Sequence, residues 1–234
     1  MNVHDSENIS AIMEEMGYSK KEDMDEADVI ILNTCAIREN AHNKVHGMLG
    51  RIKHLKETKE DVITVFCGCM AQEEGIANEL KEKFDYILID CPAGIEQGFK
   101  NAIAGANRAI VVTTAEISSI RDADRIIGLL ESSEIKNPEL VINRIRPNMV
   151  RRGEMMDVDD IVDLLSIDLI GVVPDDEYII TQTNKGEPVI QNRKAPSGKA
   201  YLEIAKRVLG ENIEVTIPGR EKGFFSRIKS IFKK

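Results

Sequence analysis

Six short apolar runs, rich in β-branched residues, recur along the chain with helical patterns in the intervals between them. The runs lie at residues 29–33, 62–66, 86–90, 109–113, 140–143 and 169–173. They are apolar on both faces, as strands covered by helices on both sides must be. The sequence therefore predicts an α/β fold with three layers, in which helices flank both faces of a mostly parallel sheet.

Ligands of parallel α/β sheets bind beyond the carboxyl ends of the strands, so the residues that follow each run carry the functional information. Polar, thiol or turn residues follow most of the runs. They include Asn33-Thr34-Cys35, Cys67-Gly68-Cys69, Asp90-Cys91, Asn143-Arg144 and Pro174-Asp175-Asp176. We expect the candidate site residues among them.

Composition and charge exclude several classes of protein. Trp is absent and aromatic residues make up 4% of the 234 residues, so a base-stacking platform for single-stranded nucleic acid has little to be built from. The net charge of -9 also repels polyanions, so we expect no nucleic-acid partner. No apolar run approaches the roughly 20 residues that span a bilayer, and the first residues do not resemble a signal peptide. We therefore expect a cytoplasmic protein.

The last fifteen residues differ in charge and pattern from the rest of the chain. Residues 220–234 carry a net charge of +5, which leaves -14 for residues 1–219. The apolar side chains of this segment fall within an arc of about 120° on a helix. They are Phe224, Phe225, Ile228, Ile231 and Phe232, and the basic residues Arg227, Lys229, Lys233 and Lys234 lie outside the arc. This pattern predicts an amphipathic helix over residues 219–234 that binds an anionic membrane surface.

Three motifs in the first 79 residues resemble the N-terminal domain of the MiaB-type tRNA methylthiotransferases. They are residues 1–7, residues 33–41 (Asn-Thr-Cys-Ala-Ile-Arg-Glu-Asn-Ala) and residues 68–72 (Gly-Cys-Met-Ala-Gln). In that family, three cysteines of this domain hold an auxiliary iron-sulfur cluster, and Cys35 and Cys69 fall on two of them. The position of the third would precede Met1, and the three-cysteine motif of the family's radical domain has no counterpart in this sequence.

Cluster ligation usually requires four cysteines that converge on the irons, and the resemblance supplies two. Cys67 is two residues from Cys69 and is a substitute in principle, whereas an unligated cysteine usually behaves as a small apolar residue. We therefore interpret these thiols as carrying no metal and expect no stable iron-sulfur cluster.

From about residue 80 onward the motifs resemble a different family, the MinD-type septum site-determining ATPases. The matching motifs are residues 84–98, 111–125, 141–144 and 171–176. The resemblance implies a Rossmann-like, P-loop-NTPase-like fold, a protein that dimerises on ATP and attaches to the inner face of the cell membrane, and division-regulator partners of the MinC and MinE type. The terminal amphipathic helix is also a feature of that family.

The MinD resemblance assigns roles to particular residues. Asp90 matches the Walker B-like acid that acts on magnesium through water. The resemblance places the adenine contacts at Asn143 and Arg144 and at the loop of Pro174 and Asp175. It places the partner surface at Arg121, Asp122 and Asp124.

The phosphate-binding half of the MinD pattern is absent from the sequence. No Gly-x-x-x-x-Gly-Lys-Ser/Thr loop occurs, so neither a nest of backbone amides nor a lysine is available for the β and γ phosphates. Phosphoryl transfer depends on positioning and on charge stabilisation by those groups. We therefore expect weak binding of ATP and magnesium and no ATPase activity, with no intact catalytic residue.

Together these resemblances predict a fusion with three parts: a methylthiotransferase-like segment over residues 1–79, a MinD-like segment over residues 80–218 and the membrane helix over residues 219–234. The predicted function is that of a membrane-associating, partner-binding protein related to division-site placement. Two alternatives stay open, namely an iron-sulfur or tRNA-binding methylthiotransferase-like fragment and an inactive folded chimera. Whether the two segments share one sheet is also left open by the sequence.

Overall fold

The computed structural model describes residues 2–34, 39–59, 61–68, 80–81, 83–91, 94, 97–192 and 194–220. It divides into two compact units, residues 1–107 and residues 108–234. The sequence predicts a boundary near residue 80, where the family resemblance changes, and that boundary stays a prediction. The boundary at residue 107 is a different one, because it separates two compact units of the structure. Both units combine a parallel sheet with helices, which confirms the predicted α/β class.

The described elements of the first unit are three strands, three α-helices and a short 3-10 helix at Met24–Glu26. The strands and α-helices are α1 (Asn2–Glu15), β1 (Val29–Thr34), α2 (Glu39–Thr58), β2 (Ile63–Gly68), β3 (Tyr86–Leu88) and α3 (Gln97–Ala104). The strands pair in parallel in the order β1-β2-β3. β2 therefore pairs on one side with β1 and on the other with β3. The sheet of the first unit thus contains β1 and β2 from the predicted segment 1–79 and β3 from the predicted segment 80–218.

The core of the first unit forms where the buried stripe of α2 meets the sheet. Apolar residues recur along α2 at helical spacing, which places them on one face of the helix. The core residues are Ile30, Val45, Leu49, Ile52, Leu55, Val62, Phe66, Leu80 and Phe84. The rings of Phe66 and Phe84 meet edge to face with centroids 5.3 Å apart, so an aromatic contact joins β2 to the residues just before β3.

A carboxylate reinforces the junction between β2 and β3. Asp85 accepts hydrogen bonds from the Thr64 N–H at 2.8 Å and from the Thr64 hydroxyl at 3.0 Å. The ammonium group of Lys56 lies 3.0 Å from the same carboxylate. Partial burial alone would raise the pKa of Asp85, but these interactions outweigh it and lower the pKa below its ordinary value.

The described elements of the second unit also alternate between strands and helices. They are β4 (Ile110–Thr114), α4 (Ile117–Ser132), β5 (Glu139–Ile145), α5 (Pro147–Arg151), α6 (Val158–Leu165), β6 (Asp168–Pro174), α7 (Glu177–Lys185) and α8 (Pro196–Val208). The strands pair in parallel in the order β4-β5-β6. Helices α5 and α7 were not predicted from the sequence.

The central strand of the second sheet is covered on both faces. Leu140, Val141 and Ile142 are consecutive and buried, and successive strand residues point to opposite faces. On one face Val141 packs with residues of α8, including Ile204. Gly171 of β6 lets α8 approach closely, because a Cβ at that position would lie 2.2 Å from Cγ1 of Ile204.

Candidate functional site

The carboxyl ends of β5 and β6 bring together four of the residues expected at a nucleotide site. Asn143 and Arg144 lie near the end of β5, and Pro174 ends β6 with Asp175 directly after it. The Asp175 N–H donates to the Ile145 carbonyl at 2.9 Å, which ties the two strand ends to each other. The register of the β5–β6 ladder is irregular between Ile142 and Ile145, so the backbone departs from regular pairing at the candidate site.

Asn143 controls the backbone of the residue that follows it. Arg144 has a φ of 57°, a left-handed conformation that non-glycine residues adopt infrequently. The side-chain oxygen of Asn143 accepts a hydrogen bond from the Arg144 N–H at 2.9 Å. This hydrogen bond uses the amide oxygen, and an asparagine amide also carries two N–H donors.

Asp175 lies between two guanidinium groups. Its carboxylate is 3.6 Å from Nε of Arg144 and 2.5 Å from Nε of Arg146. Both arginine side chains are at least half exposed, so they are accessible to solvent at this edge of the sheet. The arrangement can donate hydrogen bonds to a planar ligand with acceptor atoms, and the pairing fixes the loop that follows β6.

Sequence reasoning missed the role of Asp176. Its side chain caps α7 by accepting from the Tyr178 N–H at 3.0 Å, and it accepts from the Ser197 hydroxyl at 2.7 Å and the Ser197 N–H at 3.0 Å. Burial alone would raise the pKa of Asp176, but the hydrogen bonds from Ser197 and Tyr178 outweigh it and lower the pKa. Asp176, followed by Glu177 and then by apolar residues, is an N-cap signal that could have predicted α7. The hydrogen bonds from Ser197 could not be predicted in this way, because Ser197 is distant from Asp176 in the sequence.

Asp90, expected to act on magnesium, belongs to the first unit, whereas the residues expected to contact adenine belong to the second. It lies two residues beyond the end of β3 and is exposed. The neighbouring Cys91 thiol has a pKa raised by partial burial and by the Asp90 carboxylate, so it stays protonated at neutral pH.

The three residues expected at a partner surface share the exposed side of α4. Arg121, Asp122 and Asp124 are exposed, and the buried side of the helix consists of Ile120, Ala123, Ile127 and Leu130. Nη1 of Arg125 lies 3.9 Å from the Asp122 carboxylate, an exposed pair of small energetic value. The helix therefore presents a charged surface held in place by its apolar face.

Cys35 and Cys69, expected at positions of cluster ligands, lie outside the described residues. The residues directly before them, Thr34 and Gly68, are paired in the β1–β2 register. Cys67 is half-buried in β2. Within the described part of the chain, no group of three His, Cys, Asp or Glu side chains is arranged to hold a metal ion.

The membrane helix is predicted over residues 219–234, of which residues 221–234 lie outside the described residues. The preceding Arg220 pairs with Asp157 and, at 3.0 Å, with the Asp159 carboxylate, so the described chain ends on the first turn of α6. Among the described residues, no helix is both long and apolar enough to cross a membrane.

Two sets of comparisons relate the chain to known proteins. Residues 1–90 match the model of a family described as "Uncharacterized protein family UPF0004". The structure of the MinD cell division protein from Aquifex aeolicus matches with a TM-score of 0.62 and 31% identity, over 92% of this chain and 93% of that one. The chain belongs to the MinD family. The MinC:MinD cell division complex from the same organism matches with a TM-score of 0.64 and 32% identity, over the same shares of the two chains.

Sequence similarity to the MinD family is strong over part of the chain. The septum site-determining protein MinD of Bacillus subtilis is 53% identical over 163 residues, which is 69% of this chain. The chain spans 61% of the length of that relative. Because residues 1–90 match the UPF0004 family and the MinD similarity covers the remainder, the chain is a fusion of two kinds of sequence. The predicted relation to division-site proteins is thereby confirmed at the level of the family.

Proposed function

We propose that this chain acts in division-site placement as a membrane-associating protein that binds MinC-type partners, with impaired ATP binding and hydrolysis. The observation that carries this proposal is the 53% identity with a septum site-determining protein over more than half of the chain. The exposed charges of α4 supply a surface for the partner, and the amphipathic pattern of residues 220–234 supplies the membrane contact.

The residues present do not fit a nucleoside triphosphate. Asn143, Arg144 and the loop at Asp175 offer hydrogen-bond groups for the base. The sequence contains no phosphate loop, so no backbone amides are arranged to bind the phosphates. The part of the chain up to residue 219 is also acidic and would repel them. We expect weak binding, so magnesium with ATP should raise the melting temperature only slightly, since a ligand that binds only the folded state raises it by an amount that depends on its affinity. Micromolar or tighter binding by titration calorimetry would contradict this part of the proposal.

Binding of a MinC-type protein tests the partner surface. Charge reversal by Asp122→Arg with Asp124→Arg leaves the buried face of α4 intact and should weaken binding about tenfold or more, because charged pairs at the centre of an interface are sensitive to reversal. The control is Glu211→Arg with Glu214→Arg, two exposed reversals beyond the end of α8 that change the net charge by the same amount. Equal loss in both variants would mean that net charge alone governs binding, and unchanged binding in the α4 variant would move the partner to another surface.

Sedimentation with vesicles rich in anionic lipid tests the membrane contact. Ile228→Glu introduces a charge at the middle of the apolar stripe and should abolish binding, whereas Lys229→Gln should only weaken it, because each basic residue contributes about 1 kcal/mol near an anionic surface. A version truncated after Pro218 should not sediment with vesicles. Equal partitioning of the full chain and the truncated version at low salt would show that these residues do not bind membrane.

A second candidate function, cluster binding of the methylthiotransferase type, has one observation in its favour. The β1–β2 register pairs Thr34 with Gly68, the residues directly before Cys35 and Cys69, in the unit that matches UPF0004. Anaerobic reconstitution with iron and sulfide should give a substoichiometric, oxygen-labile species or none. A stable cluster that Cys35→Ala eliminates would establish this second function instead. If partner, membrane and cluster binding are all absent, the chain is an inactive folded chimera.

A further inference from the structure

Residues 211–219, which we call the strap, run along the second unit after the end of α8. The half-buried side chains of Ile213, Val215 and Ile217 alternate with exposed ones. This alternation is typical of an extended chain with one face against the protein. The buried guanidinium of Arg207 on α8 donates to the Ile213 carbonyl at 2.8 Å, which fixes the beginning of the strap.

The strap ends at α5 and α6. Gly219 lies against the first residue of α5, because a Cβ at Gly219 would be 2.6 Å from Cβ of Pro147. Its φ of 82° is also a conformation that favours glycine. The next residue, Arg220, pairs with Asp157 and, at 3.0 Å, with Asp159. The tail, residues 221–234, is therefore attached to the protein beside α5.

This attachment point lies at the opposite edge of the second sheet from the end of α8. The end of α8 is at the edge where the strands begin, since Arg108, which closely precedes β4, donates to the Val208 carbonyl at 2.9 Å. Helix α5 follows the carboxyl end of β5. A strand of seven residues is about 23 Å long, so the two edges are well separated. The strap thus decides that the tail begins at the carboxyl edge.

Exposed arginines lie at the end of α5. Arg151 is the last residue of the helix and Arg152 follows it directly. The Arg151 guanidinium donates to the neutral side chain of Asn148, so within the described residues its charge is not paired with a carboxylate. Arg152 bonds Glu154 at 2.6 and 2.9 Å, an exposed pair that a competing anion can replace at little cost. Residues 144–152 contain four arginines and no acidic residue.

The carboxylates near this edge are largely neutralised by arginines. Asp157 and Asp159 are paired with Arg220, and Asp175 is paired with Arg146. Asp160, in the first turn of α6, is exposed and offsets part of the positive charge. An anionic surface that approaches α5 therefore meets positive charge in a chain that is acidic as a whole.

We propose that Arg151 and Arg152 bind the phosphate groups of anionic lipids when the tail is in the membrane, so that the second unit lies with α5 toward the bilayer. This inference rests on the membrane contact proposed above. Phe224, the first apolar residue of the tail, is five residues from Gly219, a span of at most about 18 Å. The strap therefore keeps α5 close to the lipid surface. A guanidinium group binds a phosphate through two parallel hydrogen bonds, which suits this contact.

Sedimentation of the full chain with vesicles rich in anionic lipid tests the two arginines. Arg151→Gln with Arg152→Gln should raise the dissociation constant about three- to tenfold, since one basic residue near an anionic surface contributes about fivefold. The matched control is Lys136→Gln with Lys206→Gln, two exposed positions at the edge where the strands begin. It changes the net charge equally, but salt screens charges at that distance, so its effect should be less than about twofold.

An insertion of about ten glycine and serine residues after Arg220 tests whether the strap sets the geometry. It leaves the apolar stripe and every charge unchanged but adds a flexible span of about 17 Å, so α5 is no longer held at the surface. In this background Arg151→Gln with Arg152→Gln should change the dissociation constant less than about twofold. An equal loss with and without the insertion would show that the arginines act through general charge, and the proposed orientation would be overturned.

The outcomes separate this inference from the membrane contact itself. If Ile228→Glu abolishes vesicle binding while the arginine variant binds like its lysine control, the membrane contact stands and the inference is overturned. If the full chain does not bind vesicles, both are overturned.

Two further measurements distinguish lipid from other anions. Inorganic phosphate should leave the melting temperature of the full chain and of the arginine variant equally unchanged, and a rise in the full chain alone would assign the arginines to a free anion. Fluorescence anisotropy with duplex DNA should show no difference between the arginine variant and its control. Loss of DNA binding together with unchanged vesicle binding would assign the surface to nucleic acid and overturn the proposal.

Discussion

The sheet of the first unit is joined to its last strand, β3, by a short ladder, whereas both ladders of the second sheet pair five residues. In the first unit β3 contributes three paired residues, and Phe66–Phe84 and Asp85–Thr64 add the side-chain contacts beside them. In the second unit the β4–β5 ladder alone pairs five residues, and consecutive residues of β5, which point to opposite faces, are buried. The junction in the first unit therefore depends on few side chains, while the second sheet distributes its stabilisation over many.

The largest expected effect follows from removal of the aromatic contact at that junction. Phe66→Ala should cost about 3–5 kcal/mol of unfolding free energy, because it leaves a cavity in a fully buried position. Hydrogen exchange should accelerate in β1–β3 and not in β4–β6. Ile142→Ala in the second unit is the matched control and should show the reverse pattern. If Phe66→Ala leaves the exchange of β3 unchanged, the junction does not depend on this contact.

One side chain of the second unit, Asp176, also stabilises its fold through several hydrogen bonds. The second unit therefore does not distribute all of its stabilisation over many residues. Asp176→Ala removes the cap of α7 and both hydrogen bonds from Ser197, and we expect a loss of about 2–3 kcal/mol in urea unfolding. Ser197→Ala should cost less, since the cap remains. A double-mutant cycle measures their coupling, and additive effects would show that the link between α7 and α8 is not energetically important.

Asp85→Asn tests the polar part of the junction and its dependence on pH. We expect a loss of about 1–2 kcal/mol at neutral pH, because the pair with Lys56 and the charge of the acceptor are lost. The folded pKa of Asp85 is lower than the unfolded one, so its stabilisation is present above about pH 4 and decreases as the pH falls further. Urea unfolding between neutral and acidic pH should therefore show a shallower acid decline in Asp85→Asn than in the wild type. Parallel declines would contradict the assignment.

The smallest expected effect concerns the candidate nucleotide site. Arg144→Gly relieves the left-handed backbone of a non-glycine residue but removes an exposed ion pair with Asp175, so the unfolding free energy should change by no more than about 1 kcal/mol. Thermal unfolding with Asn143→Ala as the comparison checks this, since loss of the Asn143 acceptor should destabilise the same turn. A large loss in Arg144→Gly would show that the second unit also depends on a single contact at this edge.

Several features of the fold and site could be predicted from the sequence because they depend on local pattern. The six apolar runs correspond to β1–β6, and the periodic segments between them include α4 and α6, since buried strands and helices impose their own spacing of apolar residues. The residues at the ends of β5 and β6, including Asn143 and Asp175, were identified because parallel strands place their carboxyl ends at one edge. The sequence did not predict helices α5 and α7, because both are short and their apolar periodicity extends over few residues.

The sequence by itself determined the α/β class, the order of the six strands and the residues at the strand ends. Tertiary structure alone decided that β3 joins the sheet of β1 and β2, that Asp176 links α7 to Ser197 and that β4 ends its sheet as an open apolar edge. The first two features depend on contacts between residues far apart in the chain. The third depends on the strands that pair with β4 in the folded sheet. Local propensity carries no information about either, because hydrogen-bond partners and burial are assigned only when the chain has folded.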